Sequence, residues 1–340
     1  MTTADSLFSD SVPIAVDAMG GDHGPVETVA GAVQAARGGA RVLLAGNPDL
    51  VEAELDRHDV RGLDVRVVPS RGVVGEQERP VRAFAAKPDA SILVATRLVK
   101  EGEARAVVSM GSTGASIAAA TMLLGTFNGI ERGALGGPII GCAPRTVVID
   151  LGTSVDARPR QLADFAALGT VMARVILEVE NPRVAVLSVG AEEGKGNRLV
   201  KETTAILKAS GLNFVGNLEA SDLPLGGAEV VVCDGFVGNV MIKLTEALGA
   251  ALARDVRERL GRQGEELAER IYDLTNRIEA YGGGPLLGVR GAVIVGHGRS
   301  RAASIAKAIH TARMMVERRF VEKAEAEVAR LRAAIGTESA

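Results

Sequence analysis

The stretch IAVDAMGGDHGP, residues 14–25, decides the fold because it joins a buried strand to a helix through a polar turn. Its first half is short, apolar and without strict alternation, which is typical of a strand covered on both faces. Directly after this strand come Asp17, Gly20, Gly21, Asp22 and His23. Charge and flexible backbone at a strand end predict a ligand-binding edge, where the two glycines let the backbone approach an anion. Because carboxylates repel an anion, we expect the aspartates to orient N–H donors or to position the histidine.

Nine apolar runs of this kind recur along the chain, and each ends in a turn. Between many of them the sequence predicts helices at 25–37, 90–101, 114–125, 159–180, 197–210 and 239–260. This alternation predicts an α/β fold, with a mostly parallel sheet and helices on both of its faces. After Gly238 the rhythm changes. Residues 239–281 are expected to form a projecting helical hairpin, and residues 301–335 one long charged helix.

Composition narrows the class of protein. The chain has 340 residues, of which 47% are apolar, so most of it is expected to fold into a core. A formal net charge of −3 argues against a general nucleic-acid binder. Cys142 and Cys233 form no metal-binding motif, which favours a reducing compartment. The uncharged segment 106–130 is long enough to span a bilayer, but its central Ser, Thr and Gly residues favour a buried strand, loop and helix.

The domain organisation is expected to be simple. Residues 1–11 carry no basic residue and no apolar core, so they predict a disordered tail rather than a signal peptide. Residues 12–325 are expected to form one catalytic α/β/α domain, with the hairpin at about 239–281 as an insertion. Residues 326–340 are expected to form the end of the C-terminal helix and a tail.

Six polar, glycine-rich turns follow predicted strands, and each is expected to open a helix. They lie at 17–25, 109–115, 150–159, 188–197, 233–239 and 296–300. Parallel strands deliver such turns to one edge of the sheet, which is where ligands bind in open α/β folds. A helix N-terminus offers unpaired N–H groups and partial positive charge, which suits phosphate. Six such turns in one chain predict a shared anion-binding cleft.

Each motif also has a purely structural interpretation. The run GAEEGKG lacks the spacing of an ATP-binding loop, and no GxGxxG follows the first strand, so neither ATP nor a dinucleotide is indicated. The aspartates and histidine of the first turn could hold a metal, but such a trio is more often a hydrogen-bonded turn. His297 could be a satisfied structural histidine. Ser112, Asp234 and Asn239 could simply cap helices.

Seven motifs now form a pattern: VDAMGGDHGP, STGA, VDARP, GKGN, DGFVGN, YGGGPLLG and HGRS, in this order. From about residue 12 to 319 the chain resembles the bacterial fatty acyl-acyl carrier protein:phosphate acyltransferase family of phospholipid synthesis. The resemblance implies a Rossmann-like fold related to phosphotransacetylases and isocitrate-dehydrogenase-like enzymes. It also implies a homodimer, no cofactor and no metal, and acyl phosphate made from acyl carrier protein thioester and inorganic phosphate. A cytoplasmic enzyme is expected. A peripheral position at the inner face of the membrane and a membrane acyltransferase partner are both left open.

Residue roles follow from the chemistry that this reaction needs. Phosphate is already a nucleophile, so the enzyme has to hold it near the thioester carbon and stabilise the oxyanion. Lys195 is the candidate cation, Asn239 the candidate amide donor, and His23 or His297 the candidate for proton movement as the thiol leaves. The remaining predicted substrate and phosphate contacts are Asp17, Gly20, Gly21, Asp22, Gly111, Ser112, Thr113, Gly114, Asp156, Gly196, Asn197, Asp234, Gly235, Gly238 and Gly298.

Two positions depart from the family's usual sequence, and two alternatives to the implied function stay open. The family usually has Asn where this chain has Ser112 and Ser154, which puts the contacts of those positions in question. A phosphotransacetylase-like enzyme that uses acyl-CoA is one alternative, and a non-catalytic lipid-linked scaffold is the other. The intact Lys195, Asn197, Asp234 and Asn239 argue against the scaffold. The hairpin tip carries mixed charges and few large apolar residues, which predicts weak, salt-sensitive membrane association.

Overall fold

The computed structural model describes residues 12–336 and contains two compact units. Within these residues, the first unit comprises 12–125, 281–285 and 289–318, and the second comprises 126–280, 286–288 and 319–336. The predicted tail at 1–11 and the last residues, 337–340, lie outside the described residues. One catalytic domain over 12–325 stays a prediction.

The described residues contain eleven strands. They are β1 (Pro13–Asp17), β2 (Arg41–Gly46), β3 (Val65–Pro69), β4 (Ala106–Ser109), β5 (Ala134–Gly137), β6 (Val147–Ile149), β7 (Val184–Leu187), β8 (Phe214–Leu218), β9 (Val230–Val232), β10 (Gly284–Leu287) and β11 (Ala292–Val295). In the first unit, β3, β2, β1, β4 and β11 are parallel in that order. In the second unit, β6, β9, β7 and β8 are parallel in that order. The predicted α/β fold with a mostly parallel sheet is confirmed.

Two antiparallel strands, β5 and β10, were absent from the prediction. Their sequences, ALGG and GPLL, are rich in Gly and Pro and carry no Val-rich run. Each is a strand because neighbouring strands complete its hydrogen bonds. Strand β5 pairs antiparallel with β6, the first half of β10 with β11, and the second half of β10 with β5. Gly136 also has a packing reason, since a Cβ there would lie 3.2 Å from the Cβ of Ile149.

The helices follow the predicted alternation. They are α1 (Val26–Arg37), α2 (Pro48–Leu55), α3 (Pro80–Ala86), α4 (Ser91–Glu101), α5 (Thr113–Leu123), α6 (Pro159–Val175), α7 (Arg198–Lys208), α8 (Gly235–Leu260), α9 (Glu265–Thr275), α10 (Ala302–Glu317) and α11 (Phe320–Ala334). All six predicted helices are present, with ends shifted by up to five residues, as where 159–180 ends at Val175. The single helix predicted over 301–335 is wrong. It is interrupted at Arg319, which adopts the left-handed conformation with φ 54° between α10 and α11.

The uncharged segment 106–130 forms the predicted strand, loop and helix, β4 followed by α5. The stretch 235–275 is the one helical region of the described residues that is long and apolar enough to cross a bilayer, by length and composition alone. It consists of α8 and α9, which a short 3₁₀ turn at Gly261–Gly264 separates and which pack against each other. The predicted helical hairpin is therefore present in the second unit.

Candidate active site

All six predicted ranges lie where a strand ends and a helix begins, and the last residues of 109–115 and 233–239 already belong to the helices that follow. They lead into α1, α5, α6, α7, α8 and α10. The turns at 17–25, 109–115 and 296–300, the first-unit turns, belong to one unit; those at 150–159, 188–197 and 233–239, the second-unit turns, belong to the other.

Hydrogen bonds join the three first-unit turns. Asp17 is buried at the end of β1, and its Oδ2 accepts a hydrogen bond of 2.8 Å from the Ser109 hydroxyl at the end of β4. The Ser109 oxygen in turn accepts from the Gly111 N–H at 3.1 Å. The Asp22 N–H donates to the Gly298 carbonyl at 2.8 Å. The structure therefore brings together predicted site residues from three separate motifs.

The glycines of these turns are required by close packing. A Cβ at Gly20 would lie 2.6 Å from Asp17 Oδ2 and 2.8 Å from the Gly111 nitrogen. Gly21 has a φ of 90°, which favours glycine, and a Cβ at Gly298 would lie 3.0 Å from an Asp22 oxygen. These glycines let the turns pack against one another, whatever they bind.

Burial raises the pKa of Asp17 above its usual value, although the Ser91 and Ser109 hydroxyls act in the opposite direction. Its second carboxyl oxygen, Oδ1, is buried and has no hydrogen-bond partner among the described residues. A buried carboxylate with one unpaired oxygen costs free energy when it is ionised.

Asp17→Asn tests this cost through its pH dependence. A raised pKa means that the stability contribution of Asp17 is complete below the unfolded pKa and is lost as the pH rises through the folded pKa. Asparagine does not ionise, so the variant should gain stability relative to the parent chain as the pH rises above about 4. Urea unfolding at several pH values measures this. An equal gain in Asp273→Asn, on an exposed side chain of α9, would contradict the assignment to burial.

A buried carboxylate that the sequence analysis missed organises the second-unit turns. Asp150, fully buried at the end of β6, accepts from the backbone N–H groups of Gly152, Thr153 and Ser154 at 3.1, 3.0 and 2.7 Å. It also accepts from the hydroxyls of Thr153 and Ser154 at 2.7 and 2.6 Å. The available signal was an Asp ending an apolar strand and followed by Gly, Thr and Ser, a composition that favours side chain-to-backbone turns. Because Asp150 engages these N–H groups, they are not the phosphate donors that the turn was expected to supply.

The start of α8 packs directly on this turn. The Gly235 N–H donates to the Ser154 carbonyl at 2.7 Å, and the Asp150 N–H donates to the Cys233 carbonyl at 3.0 Å. Asn239 is exposed and lies one turn inside α8 rather than at its start, since the helix begins at Gly235. Its side chain lies beside Gly152, where a Cβ would be 3.4 Å from the Asn239 amide oxygen.

The turn that carries Lys195 is tied to β8. The Asn217 side chain on β8 donates to the Glu192 carbonyl at 3.1 Å and to the Lys195 carbonyl at 3.4 Å. The Lys195 side chain is exposed and forms no ion pair with any residue between 12 and 336. Within the same range, no hydrogen bond joins this turn to the other two second-unit turns. The structure thus joins two of the second-unit turns and leaves the Lys195 ammonium facing solvent.

Three predicted contact residues cap helices. Ser112 accepts from the Ala115 N–H at 3.4 Å, Asn197 from Val200 at 3.0 Å and Asp234 from Val237 at 3.0 Å. The structural interpretation is therefore confirmed for Ser112 and Asp234, and it extends to Asn197. The two departures from the family also find roles, because Ser112 caps α5 and Ser154 binds Asp150. Asn and Ser are equally good N-caps, so this exchange keeps the cap.

The other predicted residues lie on the same turns. Thr113, Gly114 and Asp156 are exposed, and His23 and His297 are half-buried. No group of three His, Cys, Asp or Glu side chains in residues 12–336 could hold a metal ion, so Asp17, Asp22 and His23 do not form such a cluster.

Comparison with known proteins identifies the family. The model of the family described as "Fatty acid synthesis protein" matches residues 12–323, which include all six turns. The chain belongs to this family. A protein named phosphate acyltransferase from Desulforamulus reducens is 42% identical over 318 residues, covering 91% of this chain and 95% of its own length. Another of that name, from Trichodesmium erythraeum, is 40% identical over 322 residues, covering 91% of this chain and 94% of its own.

Solved structures share the fold of this family member. A phosphotransacetylase from Streptococcus pyogenes matches 93% of this chain and 100% of its own, with a TM-score of 0.61 and 20% identity. A 4-hydroxythreonine-4-phosphate dehydrogenase from Klebsiella pneumoniae matches 89% of this chain and 98% of its own, with a TM-score of 0.54 and 18% identity. At these identities the likeness is one of fold. It agrees with the expected kinship to phosphotransacetylase and dehydrogenase folds.

Proposed function

We propose that this protein is a phosphate acyltransferase that forms acyl phosphate from a fatty acyl-acyl carrier protein and inorganic phosphate. The reaction is the first step towards phosphatidic acid in bacterial phospholipid synthesis. The observation that carries the proposal is family membership over nearly the whole chain, with relatives at 40–42% identity named phosphate acyltransferase. A phosphate oxygen attacks the thioester carbon, the carbon–sulfur bond breaks, and the carrier-protein thiolate leaves and takes up a proton.

Residue roles in this proposal follow from charge and exposure. Lys195 holds the phosphate or the developing oxyanion, because its ammonium is exposed and forms no ion pair within the described residues. Asn239 donates from its amide, and His23 or His297 moves the proton to the leaving thiol. Further phosphate contacts are proposed on the turn that carries Lys195, at Gly196 and Asn197, because it leads into the N-terminus of α7, which favours an anion. The proposed reaction needs no cofactor. The enzyme is proposed to act in the cytoplasm.

Thiol release from acyl-acyl carrier protein and from acyl-CoA, each with and without phosphate, tests the activity. Phosphate-dependent release from the carrier protein supports the proposal. Release from acyl-CoA alone would assign the chain to a phosphotransacetylase-like activity. No release from either donor would indicate a non-catalytic lipid-linked role.

A homodimer is part of the proposal. Helix α8 exposes one row of apolar side chains at four-residue spacing, which places them on one face. They are Phe236, Val240, Leu244, Leu248 and Leu252, between 47% and 64% exposed. Exposed Ala251 and Leu267 and half-buried Ile271 lie on the same hairpin. An apolar row of this kind supports a second copy of the chain as its partner.

Leu248→Glu should weaken this dimer by about tenfold or more, because it places a charge in an apolar interface. Ile271→Glu should act in the same direction. Light scattering across a dilution series measures the dissociation constant. Ala250→Glu is the matched control, since Ala250 is exposed and lies on the far side of α8 from Leu248. A Leu248→Glu chain that stays as dimeric as the control would contradict this interface.

Membrane association should be weak and salt-sensitive for this protein alone. At the hairpin tip, Arg257 pairs with Glu265 and Arg259 with Asp255, so much of the positive charge is neutralised. Leu260 is 50% exposed but isolated among charges. Surface binding needs both apolar area and net positive charge. Sedimentation with anionic vesicles measures it, and strong binding that persists at high salt would contradict the prediction. A membrane acyltransferase partner would supply firmer localisation.

A further inference from the structure

A cavity of about 340 Å³ lies in the second unit, beside the turn at 150–159. It is lined by Glu131, Arg132, Ser154, Val155, Asp156, Arg158 and Gln161. Its volume falls at the lower end of the range of about 300–1,000 Å³ that is usual for small-ligand sites. Only Asp156 among these residues was predicted to contact substrate.

The walls of this cavity are held in place by the protein itself. Ser154 is fixed by its two hydrogen bonds to the buried Asp150 carboxylate. Arg132 Nη1 donates to the Thr153 carbonyl at 2.9 Å, and the Arg158 N–H donates to Gln161 Oε1 at 2.8 Å. The cavity is therefore preformed, which lowers the entropic cost of binding.

The two arginines that line the cavity differ in whether they form an ion pair. Arg158 is paired with Glu131, so its charge is largely neutralised. Arg132 donates to a neutral carbonyl and forms no ion pair within residues 12–336. Asp156 also lines the cavity, and its negative charge opposes the anion that the charge of Arg132 attracts. A guanidinium held by one N–H keeps its other donors for an acceptor, and its planar fork matches a phosphate.

We propose that this cavity is a phosphate subsite in which Arg132 binds a phosphate group. The proposal rests on the proposed function, which supplies two sources of that chemistry. One is the inorganic phosphate that attacks the thioester, and the other is the phosphodiester of the phosphopantetheine arm that carries the acyl group. The Gln161 side-chain NH2 group offers a donor to either, since its oxygen already accepts from the Arg158 N–H.

Steady-state kinetics of Arg132→Ala, with each substrate varied in turn, tests the subsite. A lost charge-assisted contact should raise one KM by about 10- to 100-fold, with a smaller effect on kcat. A raised KM for phosphate identifies the inorganic ion, and a raised KM for the acyl donor identifies the phosphodiester. Arg132→Lys should lie in between, because it keeps the charge but loses the fork.

Arg145→Ala is the matched control. Arg145 is exposed, donates to the Glu178 carbonyl at 3.4 Å and does not line the cavity. Both KM values within about twofold of the parent in Arg132→Ala would overturn the proposal, as would an equal rise in Arg145→Ala. If the parent chain shows no turnover, the proposed function fails, and calorimetry with inorganic phosphate and with holo-acyl carrier protein, which carries the phosphodiester, decides the subsite independently. The subsite is supported if the parent chain and Arg145→Ala bind one of these probes and Arg132→Ala does not. It is overturned if the parent chain binds neither probe.

Discussion

Lys195→Ala is expected to lower turnover by about 10²- to 10³-fold while the fold is retained, because it removes the proposed electrostatic contact to phosphate or oxyanion. Its side chain is exposed, so its truncation leaves no buried group unpaired. The turn keeps its shape through backbone bonds, since the Lys195 N–H donates to the Glu192 carbonyl at 3.2 Å. A thiol-release assay at saturating phosphate measures the loss, and circular dichroism checks the fold.

Two further variants separate charge from position. Lys201→Ala removes an exposed lysine from the first turn of α7 and should leave turnover unchanged. Lys195→Arg keeps the charge on a different geometry and should recover part of the lost rate. Near-normal turnover of Lys195→Ala at saturating phosphate would remove this residue from the mechanism.

The sequence predicted those parts of the fold that depend on the pattern of residues within one strand or turn. Val-rich runs such as residues 147–149 and 230–232 are buried on both faces, so composition alone marks them as strands. Polar turns after such strands must lie at the carboxyl edge, whatever the tertiary details. All six candidate turns could therefore be found without coordinates.

Features that depend on distant partners were missed. Strand β5 reads as a glycine-rich loop, and only its pairing with β6 and β10 makes it a strand. The break at Arg319 has neither Gly nor Pro to mark it, and the amphipathic pattern continues across it. Such positions are decided by tertiary packing, which overrides local preference.

In the candidate site too, local sequence predicted some features, while others depend on contacts made only in the folded chain. Motif spacing located the turns but could not tell which side chains serve the backbone. Ser112, Asn197 and Asp234 each cap the helix that their turn opens. Asp150 was passed over because its five donor groups become visible only when the turn is folded around it. A cap can still face a ligand, so the assignment of these residues to substrate stays a prediction.

Gly238→Ala is expected to destabilise the second unit by about 3 kcal/mol, towards the upper end of overpacking effects. A Cβ at this position would lie 1.8 Å from the Asp150 carbonyl oxygen and 3.2 Å from the Leu151 Cα. Backbone atoms cannot rotate away as a flexible side chain can, so either α8 or the turn at 150–154 must move. That turn carries the hydrogen bonds to the Asp150 carboxylate, so its displacement would also unpair buried polar groups.

Gly114→Ala is the matched control for this substitution. Gly114 lies inside α5, and its nearest neighbours would be 3.7 Å or more from a new Cβ. Alanine is favoured over glycine in a helix by about 1 kcal/mol, so this variant should be unchanged or slightly more stable. Urea unfolding of both variants measures the difference, and hydrogen exchange at the start of α8 locates it. Equal urea midpoints for Gly238→Ala and Gly114→Ala would mean that α8 can move relative to the turn at 150–154 without loss of stability. The close packing of Gly238 on Asp150 would then not be what positions Asn239 beside Gly152.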